Sequence, residues 1–266
     1  MKQEQNPAVA ASLSRWPALQ TAAADCAEKE PLLSRLVTET ILTAADLPEA
    51  MARLLSRKLS DRYLTEEILL QLFKDFAAAT PQLTGMISRD FDGILAHDPA
   101  ATSVLCPFLF FKGFHALQSY RLAHYLWTQE RKPLALYVQS RVSDLFGVDI
   151  HPGARIGCGI MMDHATGIVI GETAVVEDDV LFWHGVTLGG RDFAPNDRHP
   201  KIRKGAALGA HALLLGNIDV GAGARIAAGS IVVKDVPAGA TIAGAAAKPL
   251  EKAAKPSEKA TKPSEK

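Results

Sequence analysis

The stretch KIRKGAALGAHALLLGNIDVGAGARIAAGSIVV (201–233) carries an apolar residue at every sixth position. These positions are Ile202, Leu208, Leu214, Val220, Ile226 and Val232. An amphipathic helix would repeat its apolar positions about every three to four residues, and a sandwich of short strands would show turn signals every ~8–12 residues. A period of six that holds its phase over six units is typical of a parallel β-helix, which we therefore predict.

The same period extends upstream of this stretch, so that thirteen hexapeptides can be assigned. The upstream apolar positions are Ile150, Ile156 and Met162 and, after a slip of two residues, Ile170, Val176, Phe182 and Leu188. The segment GGRDFAPNDRHPK (189–201) interrupts the repeat. Four positions after the apolar residue, many of these hexapeptides carry a small residue, which is expected to fit a tight corner. These small residues are Ala154, Thr166, Ala174, Ala206, Ala212, Ala224 and Ser230.

The first half of the chain has a different spacing of apolar residues. Its apolar residues recur at helical spacing, as in EAMARLLSRKLSDRYLTEEILLQLFKDFAAA (49–79). We predict an α+β protein with an α-helical domain over 1–147 and a β-helix domain over 148–247. The tail 248–266, with its repeats AAKPSEK and ATKPSEK, has almost no apolar side chains to bury and is predicted to be disordered.

The composition excludes several classes of protein. Lys plus Arg and Asp plus Glu both total 29, so no net charge attracts nucleic acid or an anionic membrane. The apolar run 104–114 is too short to span a bilayer. Cys26, Cys106 and Cys158 show no C-x-x-C spacing, which fits a reducing compartment. With no secretory signal apparent at the start, we expect a cytoplasmic protein.

Polar residues break the repeat in three places: Asp149 in VDIHP, Asp163 and His164 in MDHATG, and Arg198 and His199 in DRHPK. A histidine can take a proton from an alcohol near neutral pH, and a carboxylate can fix its tautomer. Asp149 precedes His164 by fifteen residues, which predicts that the two lie within reach on adjacent turns of the β-helix. The alternative is that His164 is a corner residue bonded to a backbone carbonyl.

The other histidines are weaker candidates for a functional role. His97, His151, His184 and His211 are interpreted as structural or exposed. Some parallel β-helix enzymes bind zinc through three histidines, two of which are closely spaced. The position five residues beyond His199 is Lys204, and no such pair occurs in the repeats, so we predict no metal.

Several motifs resemble those of the bacterial serine O-acetyltransferases. In the repeats these are DIHPGARIG (149–157), DHATGIVIGETAVV (163–176), GVTLGG (185–190), DRHPKI (197–202) and LLGNIDVG (214–221); in the helical half they are HDPA (97–100) and KGFHALQSYR (112–121). The resemblance runs to about Gly244. It implies a left-handed parallel β-helix, trimers joined through the N-terminal helices into a dimer of trimers, acetyl-CoA as donor, no permanently bound cofactor and inhibition by cysteine.

The resemblance also implies roles for individual residues. His164 matches the family's catalytic base and Asp149 the carboxylate of its dyad. The positions that match serine-contacting residues are Asp98, Asp163, Arg198 and His199. Coenzyme A is expected near Gly190, Ala210, Ala228 and Lys248.

Two departures from the family's pattern concern the C-terminal region. The segment GAAAK (244–248) has Ala246 where the family usually has proline. Many members end in isoleucine, which docks into O-acetylserine sulfhydrylase, whereas this chain ends in Lys266. We therefore expect weak or absent binding to the sulfhydrylase.

The predicted activity is acetyl transfer from acetyl-CoA to the hydroxyl of L-serine, the first step of cysteine biosynthesis from serine. Two alternatives are acetyl transfer to another hydroxylated acceptor such as a sugar, and a non-catalytic trimeric scaffold. The DHATG and DRHP motifs together with the helical half favour serine. The presence of Asp149, His164 and His199 favours an enzyme.

Overall fold

A computed structural model of the chain describes residues 14–191 and 196–244. In this part of the chain, eight α-helices precede the first strand. They are α1 Trp16–Lys29, α2 Pro31–Val37, α3 Leu47–Leu59, α4 Glu66–Ala79, α5 Leu83–His97, α6 Leu105–Phe110, α7 Lys112–Thr128 and α8 Lys132–Phe146. A single π-helical turn, Thr38–Leu42, follows α2.

Local signals explain where these helices begin and end. At the start of α3, the Asp46 side chain accepts a hydrogen bond from the Glu49 amide at 2.8 Å, and the Glu49 carboxylate accepts one from the Ala45 amide at 2.7 Å. This reciprocal capping satisfies amides that would otherwise lack partners. Helix α8 ends at Phe146, and the following Gly147, whose φ of +66° favours glycine, turns the chain into the first strand.

Fourteen short strands follow within the described residues. They are β1 Val148–Ile150, β2 Arg155–Ile156, β3 Met161–Met162, β4 Ile168–Ile170, β5 Val175–Val176, β6 Leu181–Phe182, β7 Thr187–Gly189, β8 Lys201–Ile202, β9 Ala207–Leu208, β10 Leu213–Leu215, β11 Asp219–Val220, β12 Arg225–Ile226, β13 Ile231–Val232 and β14 Thr241–Ile242.

These strands form three parallel sheets, and the successive strands from β1 to β13 visit them in turn. Face A has the order β1-β4-β7-β10-β13, face B β2-β5-β8-β11, and face C β3-β6-β9-β12-β14. Each turn of the chain therefore lays one strand on each side of a three-sided prism. The parallel β-helix predicted from the six-residue period is confirmed.

The interior of the prism is filled by the predicted apolar positions. Twelve of the thirteen are buried, and the remaining one, Ile156, is partly buried. One corner assignment was wrong, because Thr166 is exposed and Ala165 is fully buried in its place. Two successive residues with positive φ, His164 and Ala165, shift the phase of the repeat at that corner by one position.

A buried ion pair joins the helical half to the first turn of the β-helix. Arg121 of α7 and Asp90 of α5 lie 2.7 Å apart, with side-chain exposures of 3% and 0%. Arg121 also donates to the Gly157 carbonyl at 2.9 Å, and Asp90 accepts from the Ile160 amide at 3.1 Å. These contacts hold α5 and α7 against the beginning of the prism.

The described residues also bear on two predictions from the sequence, that no segment spans a membrane and that the cysteines are reduced. No helix in the described ranges has the length and apolar character that a membrane crossing requires. Cys26, Cys106 and Cys158 are all free thiols, and burial raises the pKa of Cys158 to about 11. That thiol therefore stays protonated and unreactive at neutral pH.

Candidate active site

A cavity of about 580 Å³ lies between the helical half and the corner of the β-helix that follows β3. Asp98, which follows α5, lies on one side of it, and Asp163 and His164, which follow β3, lie on the other. The structure thus brings together three of the predicted site residues. Phe110 and Lys112, at the junction of α6 and α7, also line the cavity. Sequence analysis missed both, although Lys112 lies within the motif KGFHALQSYR.

His164 occupies a corner that directs its side chain out of the prism. Its φ is +54°, and that of Ala165 is +59°. Hydrogen bonds from the Thr166 amide to the His164 carbonyl (2.8 Å) and from the Gly167 amide to the Gly147 carbonyl (2.7 Å) hold this conformation. The His164 side chain is 76% exposed, and its Nε2 lies 3.6 Å from Asp163 Oδ1. The imidazole is therefore open to a substrate in the cavity.

Asp149 is not joined to His164 as the dyad hypothesis expects. It lies on β1, where its Oδ1 accepts a hydrogen bond from Gln139 Nε2 of α8 at 2.6 Å. Within the described residues, no hydrogen bond or ion pair links its carboxylate to His164. The expectation that the two residues lie on adjacent turns was wrong. Asp149 pairs with Val169 in register, so the first turn is twenty residues long and contains both residues.

Arg198 and His199 lie at a different corner of the prism from His164. They precede β8, at the corner between faces A and B, whereas His164 lies between β3 and β4, at the corner between faces C and A. The width of face A separates the two corners. A strand of three residues spans roughly 10 Å, so one protomer does not bring all four serine-binding candidates together.

The corner between faces A and B forms its own polar cluster. Arg198 Nη2 lies 2.9 Å from Glu172 Oε2, and this hydrogen bond lowers the pKa of the Glu172 carboxyl. His199 Nδ1 accepts from the Thr173 amide at 3.1 Å, which leaves the proton of the neutral ring on Nε2. Burial lowers the pKa of His199, and the positive charges of Arg198 and Lys201 lower it further.

Glycine is required where the His199 ring packs. A Cβ at Gly171 would lie 2.0 Å from His199 Nε2, so any larger residue there would displace the ring. Gly190, a candidate for coenzyme A, lies at this same corner at the start of the insertion. It therefore belongs to the Arg198 cluster and not to the cavity with His164.

A second groove, of about 370 Å³, runs along face C beside the His164 corner. Ala210 and Ala228, two of the coenzyme A candidates, both line it together with Trp183, which sequence analysis did not identify. The small side chains leave room for a slender ligand against the backbone. Lys248, Ala246 and Lys266 lie outside the described residues.

The cavity has the charge pattern of a site for a small amino compound. Asp98 and Asp163 present two carboxylates beside an exposed imidazole. Among the residues that the structure describes, Asp98 makes no ion pair, so an incoming ammonium group would supply one. In the same ranges, no group of three or more His, Cys, Asp or Glu side chains could hold a metal ion.

Comparisons with known proteins agree on one family. A family model for the N-terminal region of serine acetyltransferases matches residues 15–119. The chain is 48% identical to the serine acetyltransferase of Buchnera aphidicola over 223 residues, which cover 83% of this chain and 81% of that protein. It is 45% identical to the serine acetyltransferase of Escherichia coli K12 over 233 residues, 88% of this chain and 85% of that one.

Solved structures of serine acetyltransferases share the fold. The enzyme of Neisseria gonorrhoeae in complex with serine superposes with a TM-score of 0.85 at 42% identity, over 90% of this chain and 99% of that one. The Brucella abortus enzyme in complex with coenzyme A gives 0.85 at 43% identity, over 92% and 95%. A serine acetyltransferase in complex with cysteine gives 0.85 at 45% identity, over 89% and 92%.

Proposed function

The chain belongs to the serine acetyltransferase family, and we propose how its residues carry out the reaction of that family. The reaction transfers the acetyl group of acetyl-CoA to the hydroxyl of L-serine. Its products are O-acetylserine and free coenzyme A, and no permanently bound cofactor takes part.

In the proposed mechanism, His164 is the general base. Its imidazole takes the proton of the serine hydroxyl as the oxygen attacks the thioester carbonyl carbon. The tetrahedral intermediate then collapses, the carbon–sulfur bond breaks, and the coenzyme A thiolate takes the proton from the imidazolium. The observation that supports this assignment is the cavity in which His164 lies beside Asp98 and Asp163. These carboxylates would hold the serine ammonium.

The proposed site is completed by a second copy of the chain. Within the cavity, the cation Lys112 donates a hydrogen bond to the Thr166 hydroxyl. The planar guanidinium of Arg198 matches the geometry of the serine carboxylate better, and it lies with Gly190 and His199 at the other corner. A cyclic trimer would bring that corner of one protomer against the His164 corner of the next. Exposed apolar residues on the outer side of face A support such contact, since Val169 is 39% and Ile231 is 69% exposed.

The proposed assembly extends beyond the trimer. We propose that the helical domain, 1–147, joins two trimers, and that the β-helix domain, 148–247, carries the acetyl transfer. The pantetheine arm of acetyl-CoA would lie in the groove at Ala210 and Ala228, and Lys248 would approach the phosphates. Asp149 remains the proposed dyad carboxylate, which requires it to exchange Gln139 for His164 when substrate binds.

We propose that cysteine inhibits the enzyme and that the protein is cytoplasmic. Cysteine carries a thiol in place of the serine hydroxyl, so it would compete for the same site, and a relative has been solved in complex with it. The three free thiols support a cytoplasmic location.

One assay tests the function directly. Release of the coenzyme A thiol is measured with L-serine and, separately, with a sugar as acceptor, with and without cysteine. We expect turnover with serine only, and an increase in the KM for serine when cysteine is added. Faster turnover with the sugar would favour the second acceptor class, and absence of turnover with both would favour a scaffold.

A further inference from the structure

Three histidines lie along the corner between faces C and A. His164, His184 and His211 follow β3, β6 and β9, so each belongs to the next turn of the prism. The ring centroids of His164 and His184 are 6.1 Å apart, with the planes at 70°. Those of His184 and His211 are 4.9 Å apart at 89°. The row begins at the proposed base and ends beside the groove at Ala210.

The backbone of this corner is built to hold the row. The His211 amide donates to the His184 carbonyl at 2.9 Å, and the Gly185 amide donates to the Thr166 carbonyl at 2.8 Å. Gly185 has a φ of +70°, and a Cβ there would lie 2.2 Å from His211 Nδ1. Glycine at 185 thus leaves the space that the His211 ring occupies, and the His184 ring is held between its two neighbours.

His184 differs from the histidines that serve only to stabilise the fold. His115 and His124 each place a ring nitrogen 2.7 Å from a backbone carbonyl, of Phe108 and Pro152 respectively. The Nδ1 atom of His184 is buried and has no hydrogen-bond partner in the described structure. A histidine kept for stability alone would be expected to satisfy this atom. The edge-to-face contacts with two imidazoles are what distinguish its surroundings.

We propose that His184 is a positioning residue that orients the imidazole of His164 for proton transfer. The His164 side chain is largely exposed and is contacted by Asp163 at 3.6 Å and by the His184 ring. Because the Asp149 carboxylate is bonded to Gln139, it does not orient the imidazole in this state. His211 supports His184 from the following turn. The inference rests on His164 as the base of the proposed function.

Substitutions at 184 test the positioning role through kcat. We expect His184→Ala to lower kcat about tenfold, with the KM values for serine and acetyl-CoA changed less than about twofold, because a misoriented base affects the proton transfer and not ground-state binding. His184→Phe keeps an edge-to-face partner and is expected to restore most of kcat, whereas His184→Leu is not. The matched control His211→Ala should lower kcat by about twofold. Wild-type kcat in His184→Ala, or equal values for Phe and Leu, would overturn the proposal.

Charge variants at 184 test the premise of the proposal, that the side chain at this position lies beside the imidazole of His164. The charged or titratable groups that face His164 are Asp98 and Lys112 from the helical half, Asp163 from its own corner, and His184 from the next turn. His184→Glu favours the imidazolium, so the acid limb of the kcat/KM profile should move to higher pH, and His184→Lys should move it to lower pH. The same changes at His211 should have smaller effects, because that residue is about 4.8 Å further away. Identical profiles for the two charge variants at 184 would contradict the proposal.

His164→Ala separates this inference from the proposed function. If that variant keeps wild-type turnover, His164 is not the base and the mechanism itself is wrong. If it is inactive while every His184 variant behaves as wild type, only the positioning role fails.

Discussion

His164 has a backbone conformation that few non-glycine residues adopt, and the corner of the prism stabilises it. A φ of +54° is uncommon for any residue other than glycine, although asparagine, aspartate and histidine adopt it more often than the rest. Here the buried Ala165 and the hydrogen bonds between turns hold the chain in place. The consequence is chemical, because the imidazole leaves the apolar interior and enters a cavity with Asp98 and Asp163. The residue that breaks the repeat is therefore the one that we propose as the base.

The first prediction concerns this residue. His164→Ala should lower kcat by about two to four orders of magnitude, the usual contribution of a general base, while coenzyme A still binds. Steady-state kinetics and a calorimetric titration with coenzyme A measure the two quantities. In the wild-type protein the rate should rise with pH, because only the neutral imidazole can accept the proton of the hydroxyl. A flat profile between pH 5.5 and 8 would argue against a histidine base.

At the scale of secondary-structure elements, helices α5 and α7 depend on the buried pair of Asp90 and Arg121. Asp90→Ala would leave the Arg121 guanidinium buried without its carboxylate, and we expect a loss of about 3–5 kcal/mol in the free energy of unfolding. Urea denaturation followed by circular dichroism measures this loss.

Asp92 provides the matched control two residues along the same helix. Its ion pair with Arg15 has a similar distance of 2.5 Å, but both side chains are 42% exposed. Asp92→Ala should therefore change the free energy of unfolding by less than about 1 kcal/mol. Equal effects of the two substitutions would mean that burial does not set the strength of the Asp90 pair.

His115 of α7 makes the stability of the helical half depend on pH. Burial lowers its pKa to about 4, even though its Nε2 faces the Phe108 carbonyl, and the charge of Lys58 acts in the same direction as burial. In the unfolded chain the pKa would be near 6.5, so the unfolded state binds more protons between about pH 6.5 and 4. Stability that is present above pH 6.5 is thus lost as the pH falls toward 4.

Substitution of His115 tests this dependence. His115→Gln removes the titrating group, so the free energy of unfolding should fall less between pH 7 and pH 5 than in the wild-type protein, whatever its value at pH 7. Urea midpoints at the two pH values give the comparison. The lowered pKa of His124 leaves part of the dependence in place. An unchanged difference would show that His115 does not contribute.

The elements of this fold could be predicted from sequence to the extent that they follow a period. The six-residue phase from Ile202 to Val232 indicated the β-helix, and helical spacing over 49–79 indicated the helical half. The contacts between elements could not be predicted in this way. The bond from Gln139 to Asp149 depends on how α8 packs on β1. A period also does not show at which corner of the prism the insertion 189–201 rejoins the repeats. That corner determines the position of Arg198.

The row of His164, His184 and His211 could not be recognised from the sequence, because the three residues are unequally spaced along the chain. His164 and His184 are separated by 20 residues, but His184 and His211 by 27, because the insertion lengthens the turn between them. Unequal spacing conceals a row that is regular in space. Once the sheet order is known, the three positions fall on one corner.

At the scale of the whole molecule, the residues of the proposed site are divided between two corners that one protomer keeps apart. The cavity residues and the groove at Ala210 and Ala228 lie on the corner between faces C and A, whereas Gly190, Arg198 and His199 lie on the corner between A and B. Ring closure around a threefold axis would place unlike corners together at every interface. The proposed trimer would therefore be a condition for activity, and not only for stability.

Mixed assemblies of two inactive variants test this arrangement. His164→Ala damages one corner and Arg198→Ala the other, so a protomer of each kind can form one intact site between them. Random assembly of equal amounts into trimers gives an intact pair at about a quarter of the interfaces, and we expect about a quarter of wild-type activity to return. The control mixes His164→Ala with Asp163→Ala. Both changes affect the same corner, so no interface becomes intact and no activity should return. If differently tagged variants co-purify as mixed assemblies but the first mixture stays inactive, the site is not shared between protomers.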